Sequence, residues 1–226
     1  MGTKQSKGIC SYCAKETSKG AMAKHLTTCP ERLAVIAKAE QGKAPPETLY
    51  HLRVQDAYIK DFWLDLEMRG SKTLKALDDY LRSIWLECCG HMSDFFLGRA
   101  FEYEVSKGRK IESILATNSE LNHIYDFGTS SKTLIKAVSV RTGKPTTKHA
   151  IALLARNKIP ETECIECGKP ATYLCEECMI EDEVWGTLCS QHAETHPHDN
   201  YGEPIPLVNS PRLGMCGYDG PAEPPY

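Results

Sequence analysis

Residues 62–90 read FWLDLEMRGSKTLKALDDYLRSIWLECCG, and their hydrophobic period changes from two to about 3.6 across Gly70. Before the glycine, Phe62, Leu64, Leu66 and Met68 alternate with Trp63, Asp65, Glu67 and Arg69, the pattern of a strand with one face on a core. After it, Leu74, Leu77, Leu81, Ile84 and Trp85 recur at helical spacing, with Ser71 placed as the N-cap and Gly90 as the terminal cap. Working outward, MSDFFL and FEYEV read as short extended runs and a further strand ends at Gly128. Lys132–Thr142 and His149–Arg156 read as two strands joined by the turn GKPTT. One main helix against a mixed or antiparallel sheet makes an α+β fold.

The chain has 226 residues, 41% hydrophobic and 25% charged, enough for one good core and one or two small modules. Its net charge of −3 conceals a division. Residues 1–44 carry eight Lys/Arg against three Asp/Glu, residues 50–160 seventeen against thirteen, and residues 161–203 one against eleven. A basic front and an acidic back imply pieces that meet different partners. The expected organisation is a module over 1–44, the α+β domain over 45–160, a second module over 161–203 and a proline-rich tail over 204–226 that returns to the main domain. No basic segment followed by an apolar one opens the chain, and no apolar run reaches membrane-spanning length. The sequence therefore points to the cytoplasm and away from membranes. In a reducing compartment, eleven cysteines argue for metal and against a disulfide framework.

At the amino end, CSYCAKETSKGAMAKHLTTC sets Cys10 and Cys13 on a knuckle and His25 and Cys29 four residues apart on a helix face. These are four ligands in usable order for a tetrahedral zinc, and Met22 and Leu26 can sit beneath the ion in place of a core. The arrangement resembles a short zinc finger of the Cys-Cys-His-Cys type, with a helix from about Gly20 into the early thirties. Thr17 stands where such fingers usually carry an aromatic, so the ion must supply most of the order. Lys15, Lys19 and Lys24 could meet phosphates, but a lone finger reads only about three base pairs, and protein contact fits as well. An alanine-rich helical stretch from Glu31 to Gln41 and the linker GKAPPET follow.

Near the other end, CIECGKPATYLCEECMIEDEVWGTLCSQHAETHPH supplies Cys164, Cys167, Cys175, Cys178, Cys189, His192, His196 and His198. That is enough for two complete four-ligand sites. Nothing here supplies the strand-helix-strand setting of a redox Cys-x-x-Cys, and closed sites leave no position for a catalytic water, so these metals read as structural. The series resembles the cross-brace of B-box domains. That resemblance implies that Cys164, Cys167, Cys189 and His192 share one zinc, and that Cys175, Cys178, His196 and His198 share another. The single residue between His196 and His198 is tighter than usual, and a different fourth ligand is the alternative. Three zinc ions are expected in all. Trp185 and Leu188 are expected to form the small core between the ions. Glu176, Glu177, Glu181, Asp182 and Glu183 form a solvated face or a dock for a basic partner.

FWLDLEMRGSKTLKALDDYLRSIWLECCGHMSDF, YDFGTSSKTL and VNSPRLGMCGYDG together resemble the plasmid pRiA4b open-reading-frame-three-like family, from about Tyr58 to Gly220. The Tyr-Asp-Phe-Gly element is the clearest mark. After Gly128 many members have an acid and an aromatic, where this chain has Thr129, Ser130 and Ser131. The resemblance implies the α+β fold with added zinc modules and an association with plasmids or mobile elements. It implies no particular activity.

Two functional readings follow. In the first, the chain is a non-enzymatic binding or adaptor protein that meets a protein partner or nucleic acid. Lys132, Lys136, Arg141, Lys144 and Lys148 could track a phosphate backbone, since Phe127–Pro160 contains no acid, or could instead seat the chain's own acidic module. In the second, Asp65, Glu67, Asp94 and Asp126 hold a catalytic metal in an enzyme acting on nucleic acid, which requires them to face one cleft. Cys88, Cys89 and His91 crowd a helix end and could join Cys216 in a further site; a buried cysteine pair with a capping histidine is the simpler reading.

Overall fold

The computed structural model describes residues 6–98, 101–116 and 119–225. In chain order the elements are β1 (Lys7–Cys10), β2 (Glu16–Ser18), α1 (Lys19–Thr28), α2 (Pro30–Glu40), β3 (Glu47–Asp56), β4 (Trp63–Arg69), α3 (Leu74–Leu81), β5 (Ser93–Leu97), β6 (Tyr103–Val105), β7 (Glu120–Tyr125), β8 (Ser131–Gly143), β9 (Ile151–Asn157), β10 (Tyr173–Cys175), α4 (Glu176–Ile180), β11 (Gly186–Leu188), α5 (Ser190–Ala193) and β12 (Ile205–Pro206). Among the described residues, nine strands form one sheet in the order β2-β1-β9-β4-β3-β8-β7-β5-β6, and every neighbouring pair is antiparallel. The architecture is α+β.

The alternation in β4 sets the two faces of the sheet. Leu64, Leu66 and Met68 turn toward α3, where Leu74, Leu77 and Leu81 meet them in a core with Leu52, Val54, Leu121, Ile135 and Ala137. The helical run continues beyond α3 as a π-turn over Arg82–Leu86, which buries Ile84, Trp85 and Leu86 in succession. The helix begins later than its sequence suggests. Thr73 is the N-cap residue, while the Ser71 hydroxyl donates to Glu47 Oε2 at 2.8 Å and ties the β4–α3 turn to the start of β3. The first amides of α3 are satisfied instead by loop carbonyls, Leu74 N–H by Arg109 at 2.9 Å and Lys75 N–H by Lys107 at 2.8 Å. Gly90 lies past the π-turn in a left-handed conformation, its N–H on Glu87 Oε1.

Around β4 the opposite face of the sheet is covered by α1 and α2. β1 pairs with β9, so the amino-terminal module extends the main sheet. Trp63 packs there with Met22, Leu26, Leu154 and Ala155. Gly8 permits this contact, because a Cβ at that position would lie 2.4 Å from the Trp63 ring. Beside Trp63 runs a buried ionic layer. Asp65 accepts two bonds from Arg53, at 2.7 and 2.8 Å, and one contact from His51 at 2.9 Å. Glu67 is held by Arg32 at 3.1 Å and by Arg141 at 2.8 and 3.0 Å. The finger helix, expected to run into the early thirties, ends at Thr28: Cys29 is extended (φ −66°, ψ 115°) and Pro30 opens α2, as proline forces on the residue before it.

A second buried polar group fastens α3 to the sheet. Asp78 accepts from His123 Nε2 at 2.8 Å, Ser93 Oγ at 2.7 Å and Lys107 Nζ at 2.9 Å. Burial alone would raise the Asp78 carboxyl, but the bonds from His123, Lys107 and Ser93 hold it well below the usual carboxylate range. A depressed folded value contributes stability above the unfolded pKa and loses it as pH falls through that value. Asp78→Asn is therefore expected to cost about 3–5 kcal/mol at neutral pH. The gap from the native chain should narrow below about pH 4. Urea unfolding at several pH values checks this; an equal gap at pH 7 and pH 3 would contradict it.

Candidate metal centres

Among the described residues, four places in the fold gather ligand atoms within 4.8 Å of one another: Cys10, Cys13, His25 and Cys29; Cys88, Cys89, His91 and Cys216; Cys164, Cys167, Cys189 and His192; and Cys175, Cys178, His196 and His198. Together they take in all eleven cysteines of the chain. Each group can hold a metal ion through four protein ligands.

In the first group, β1 and the turn after it present Cys10 and Cys13, α1 carries His25, and Cys29 sits at the break between α1 and α2. The turn is a knuckle in which Ala14 N–H reaches Cys10 O at 3.0 Å and Cys10 N–H reaches Lys15 O at 3.1 Å. Ala14 takes a left-handed φ of 57° to make it. The same pair of bonds recurs at Cys164–Lys169, at 2.8 and 2.7 Å, where Gly168 takes the left-handed position. A Cys-x-x-Cys followed by a small residue and lysine is thus a repeated local device, legible in the sequence yet overlooked there. Beneath the group lie Met22 and Leu26, both fully buried. The aromatic that is missing at Thr17 comes from the sheet as Trp63.

Separations within the amino-terminal group and the Cys164 group suit tetrahedra. Bonds of about 2.3 Å to sulfur and about 2.05 Å to nitrogen imply edges of roughly 3.8 Å between sulfurs and roughly 3.6 Å between sulfur and nitrogen. Observed edges include Cys10–Cys29 at 4.0 Å, Cys13–His25 Nε2 at 3.3 Å, Cys167–Cys189 at 3.9 Å and Cys189–His192 Nδ1 at 3.6 Å.

In the carboxyl-terminal module, the first Cys pair groups with the third pair and the second with the fourth. The tight His196-x-His198 spacing is accommodated because the rings use different nitrogens. His196 offers Nε2 at 3.2 Å from Cys178, whereas His198 offers Nδ1 at 3.3 Å from Cys178 and 3.7 Å from Cys175. β10 pairs with β11 on one side and with β12 of the tail on the other. Leu174 and Leu188 are fully buried in this module. Trp185, expected beside Leu188, is instead 48% exposed. Cys175 and Leu188 belong to strands paired across β10 and β11, whereas Trp185 precedes β11 and falls outside that pairing.

Without a cation the crowded thiols oppose one another's ionisation. Burial and the neighbouring Cys175 push the Cys178 thiol up to about 12. Burial also raises Cys164, but backbone hydrogen bonds led by that at Cys189, and the bond with His192, bring it down to about 6. A bound divalent ion reverses the first situation, since a coordinating thiol gives up its proton outright.

The second group departs from the buried cysteine pair favoured by the sequence. Cys89 and Cys216 are exposed and Cys88 is half-buried. The tail brings Cys216 to His91 Nε2 at 3.6 Å, across 125 residues of sequence.

The four acids proposed for a catalytic metal do not share a cleft. Asp65 and Glu67 lie in β4, Asp94 lies in β5, and those strands stand four places apart in the sheet, roughly 19 Å at the usual strand spacing. Asp126 is bound to Arg212 at 2.6 Å. Among the described residues, no ligand group includes a carboxylate. The basic stripe is likewise broken. Arg141 is spent on Glu67, and Lys144 Nζ donates to the carbonyls of Glu40 at 2.8 Å and Gly42 at 2.6 Å. Lys136 and Lys148 remain exposed and Lys132 half-buried. Among the described residues, no ion pair joins the stripe to Glu176, Glu177, Glu181, Asp182 or Glu183.

No family model matches the chain, and no curated protein matches it significantly. Among solved structures, MM3350 from Methanosarcina mazei Go1, a protein of unknown function, is similar at 15% identity over 48% of this chain and 67% of that one, with a TM-score of 0.40. Among the described residues, no helix is long and apolar enough to cross a membrane.

Stripping metal with a strong chelator is expected to open residues 6–29 and 164–198 while β3, β4, β7 and β8 keep their protection, because only the latter have an apolar core of their own. Hydrogen exchange read by mass spectrometry checks this. Unchanged protection in both terminal modules after the metal is gone would contradict it.

Proposed function

We propose that this chain is a zinc-ordered, non-catalytic binding protein whose acidic carboxyl-terminal module docks a basic protein segment. The observation that carries the reading is the make-up of the ligand groups: each has four protein ligands, and four ligands fill a zinc tetrahedron and leave no position for substrate or water. Sulfur-rich tetrahedral sites favour zinc among the common divalent ions. Three of the groups, the amino-terminal one and the two of residues 164–198, are the structural sites of this proposal.

The choice of partner rests on what each surface has left to offer. The stripe that could have followed a phosphate backbone has lost Arg141 to Glu67 and Lys144 to the backbone carbonyls of Glu40 and Gly42. The module, by contrast, keeps Ile180, Val184 and Trp185 exposed beside Glu181, Asp182 and Glu183. An exposed tryptophan close in sequence to exposed aliphatic side chains and three acids is the composition of a binding patch for a chain that is both basic and apolar. Eleven unpaired thiols suit a reducing compartment such as the cytoplasm. Membership of the pRiA4b-like family, with its plasmid association, forms part of the proposal. It is supported by the meeting of two of the resembling segments, where Arg212 of VNSPRLG donates to Asp126 of YDFG.

The test uses the zinc-loaded chain and two labelled probes, a synthetic peptide of lysines and leucines and a short DNA duplex, followed by fluorescence anisotropy. The peptide is expected to bind, and Trp185→Ala to weaken it by about tenfold or more. Binding confined to the duplex, falling steeply with added salt, would overturn the choice of partner and return the function to Lys132, Lys136 and Lys148.

A further inference from the structure

We propose that Cys88, Cys89, His91 and Cys216 bind a fourth zinc ion, and that this ion is the latch holding the carboxyl-terminal tail on the main domain. The four ligand atoms come from two places remote in sequence. Cys88, Cys89 and His91 follow the π-turn and lead into β5, while Cys216 lies in a short helical turn of the tail. Their separations are 3.5 Å for Cys88–Cys89, 2.8 Å for Cys89–His91 Nε2 and 3.6 Å for Cys216–His91 Nε2. Three thiols and one imidazole are the donor set of the amino-terminal group and of the Cys164 group as well. On binding, the three thiols release their protons to solvent and the ion takes the three sulfurs and Nε2, with no change of oxidation state.

Two independent features point to a ligand at this spot. The first is the backbone. Cys216 sits at φ 55°, ψ 36°, between Gly214 at φ 77° and Gly217 at φ 66°, so a non-glycine residue is held in the left-handed region within a turn that bends the tail back on itself. A residue with a Cβ is disfavoured in that region and stays there where something holds its side chain. The second is Arg212, whose side chain is fully buried behind the sulfurs. Its Nη2 donates toward Cys88 Sγ and Cys216 Sγ at 3.5 Å each, and toward Asp126 Oδ2 at 2.6 Å. Its Nη1 is fixed by Thr129 O at 2.6 Å and Ser131 Oγ at 3.0 Å. A zinc with three thiolates carries a net negative charge, and a guanidinium donating to two of those sulfurs is the outer-shell partner that such a site needs.

The consequence reaches beyond the tail. Ser210 Oγ donates to Trp85 O at 2.6 Å, and Asn209 exchanges bonds with Asn157 at 2.6 and 2.7 Å. The module of residues 164–198 is therefore tethered to the main domain on both sides, by β9 before it and by this anchored tail after it. Closing a loop of that length by coordination restricts the unfolded chain strongly. Because Cys89 and Cys216 are exposed, this ion is the most accessible of the four.

The proposal is tested on the full chain purified in the presence of a phosphine reductant, by zinc analysis against protein concentration. The native chain is expected to hold four equivalents, and Cys216→Ala and His91→Ala three each. The amides of residues 207–218 should also exchange roughly tenfold faster in Cys216→Ala than in the native chain, while those of 164–198 keep their protection. A native chain with three equivalents, or a Cys216→Ala variant that still holds four, would overturn the proposal. Because Cys216 is exposed, its replacement leaves the core intact, and the retained protection of 164–198 separates loss of this site from general unfolding.

Discussion

Crowded sulfur is the constraint on which the rest of this structure depends. Two or three thiols gathered with one or two imidazoles within 4.8 Å of one another repel as thiolates and bury polar surface as thiols; a shared divalent ion removes both difficulties at once. No cysteine of the chain stands outside such a group. The carboxyl-terminal module depends on this most. Its interior consists chiefly of the ligands themselves, with Leu174 and Leu188, so coordination takes the place that a hydrophobic core occupies elsewhere.

The amino-terminal module solves the same shortage of core differently. It leans on the sheet. Trp63 on β4 fills its interior, Gly8 lets β1 cross close above the ring, and Arg53 stacks on that ring at 4.8 Å while its guanidinium grips Asp65. The ionic layer of Asp65 and Glu67 therefore serves docking. Both acids point away from the core, yet α1 and α2 bury them, and each is matched by two basic side chains. Replacing either acid alone would strand buried cations, which costs far more than an exposed pair is worth.

The sequence disclosed this fold unevenly. The period-two run at 62–69 and the helical run after Gly70 are signals within one element, and the elements formed where those signals lay. Ligand spacing in the three evident metal groups was similarly local. What escaped were relations between distant residues. Nothing near Cys10 announces that its strand pairs with β9. The grouping of Cys88, Cys89 and His91 with Cys216 was one of two readings open in the sequence, and it took the path of the tail to bring Cys216 to His91. The basic stripe looked continuous because Glu67 and Glu40, which occupy Arg141 and Lys144, belong to other elements. Trp185 looked like core because tryptophan usually is; its place before β11 leaves it half outside.

The two proposals rest on one physical claim, that every cysteine is a metal ligand and that four zinc ions order the chain. X-ray absorption at the zinc edge tests it most directly, because the first shell reports sulfur and nitrogen separately. Eleven sulfurs and five imidazole nitrogens over four ions predict a shell dominated by sulfur at about 2.3 Å, with a minor nitrogen component at about 2.0–2.1 Å. A first shell of nitrogen and oxygen alone would contradict the account.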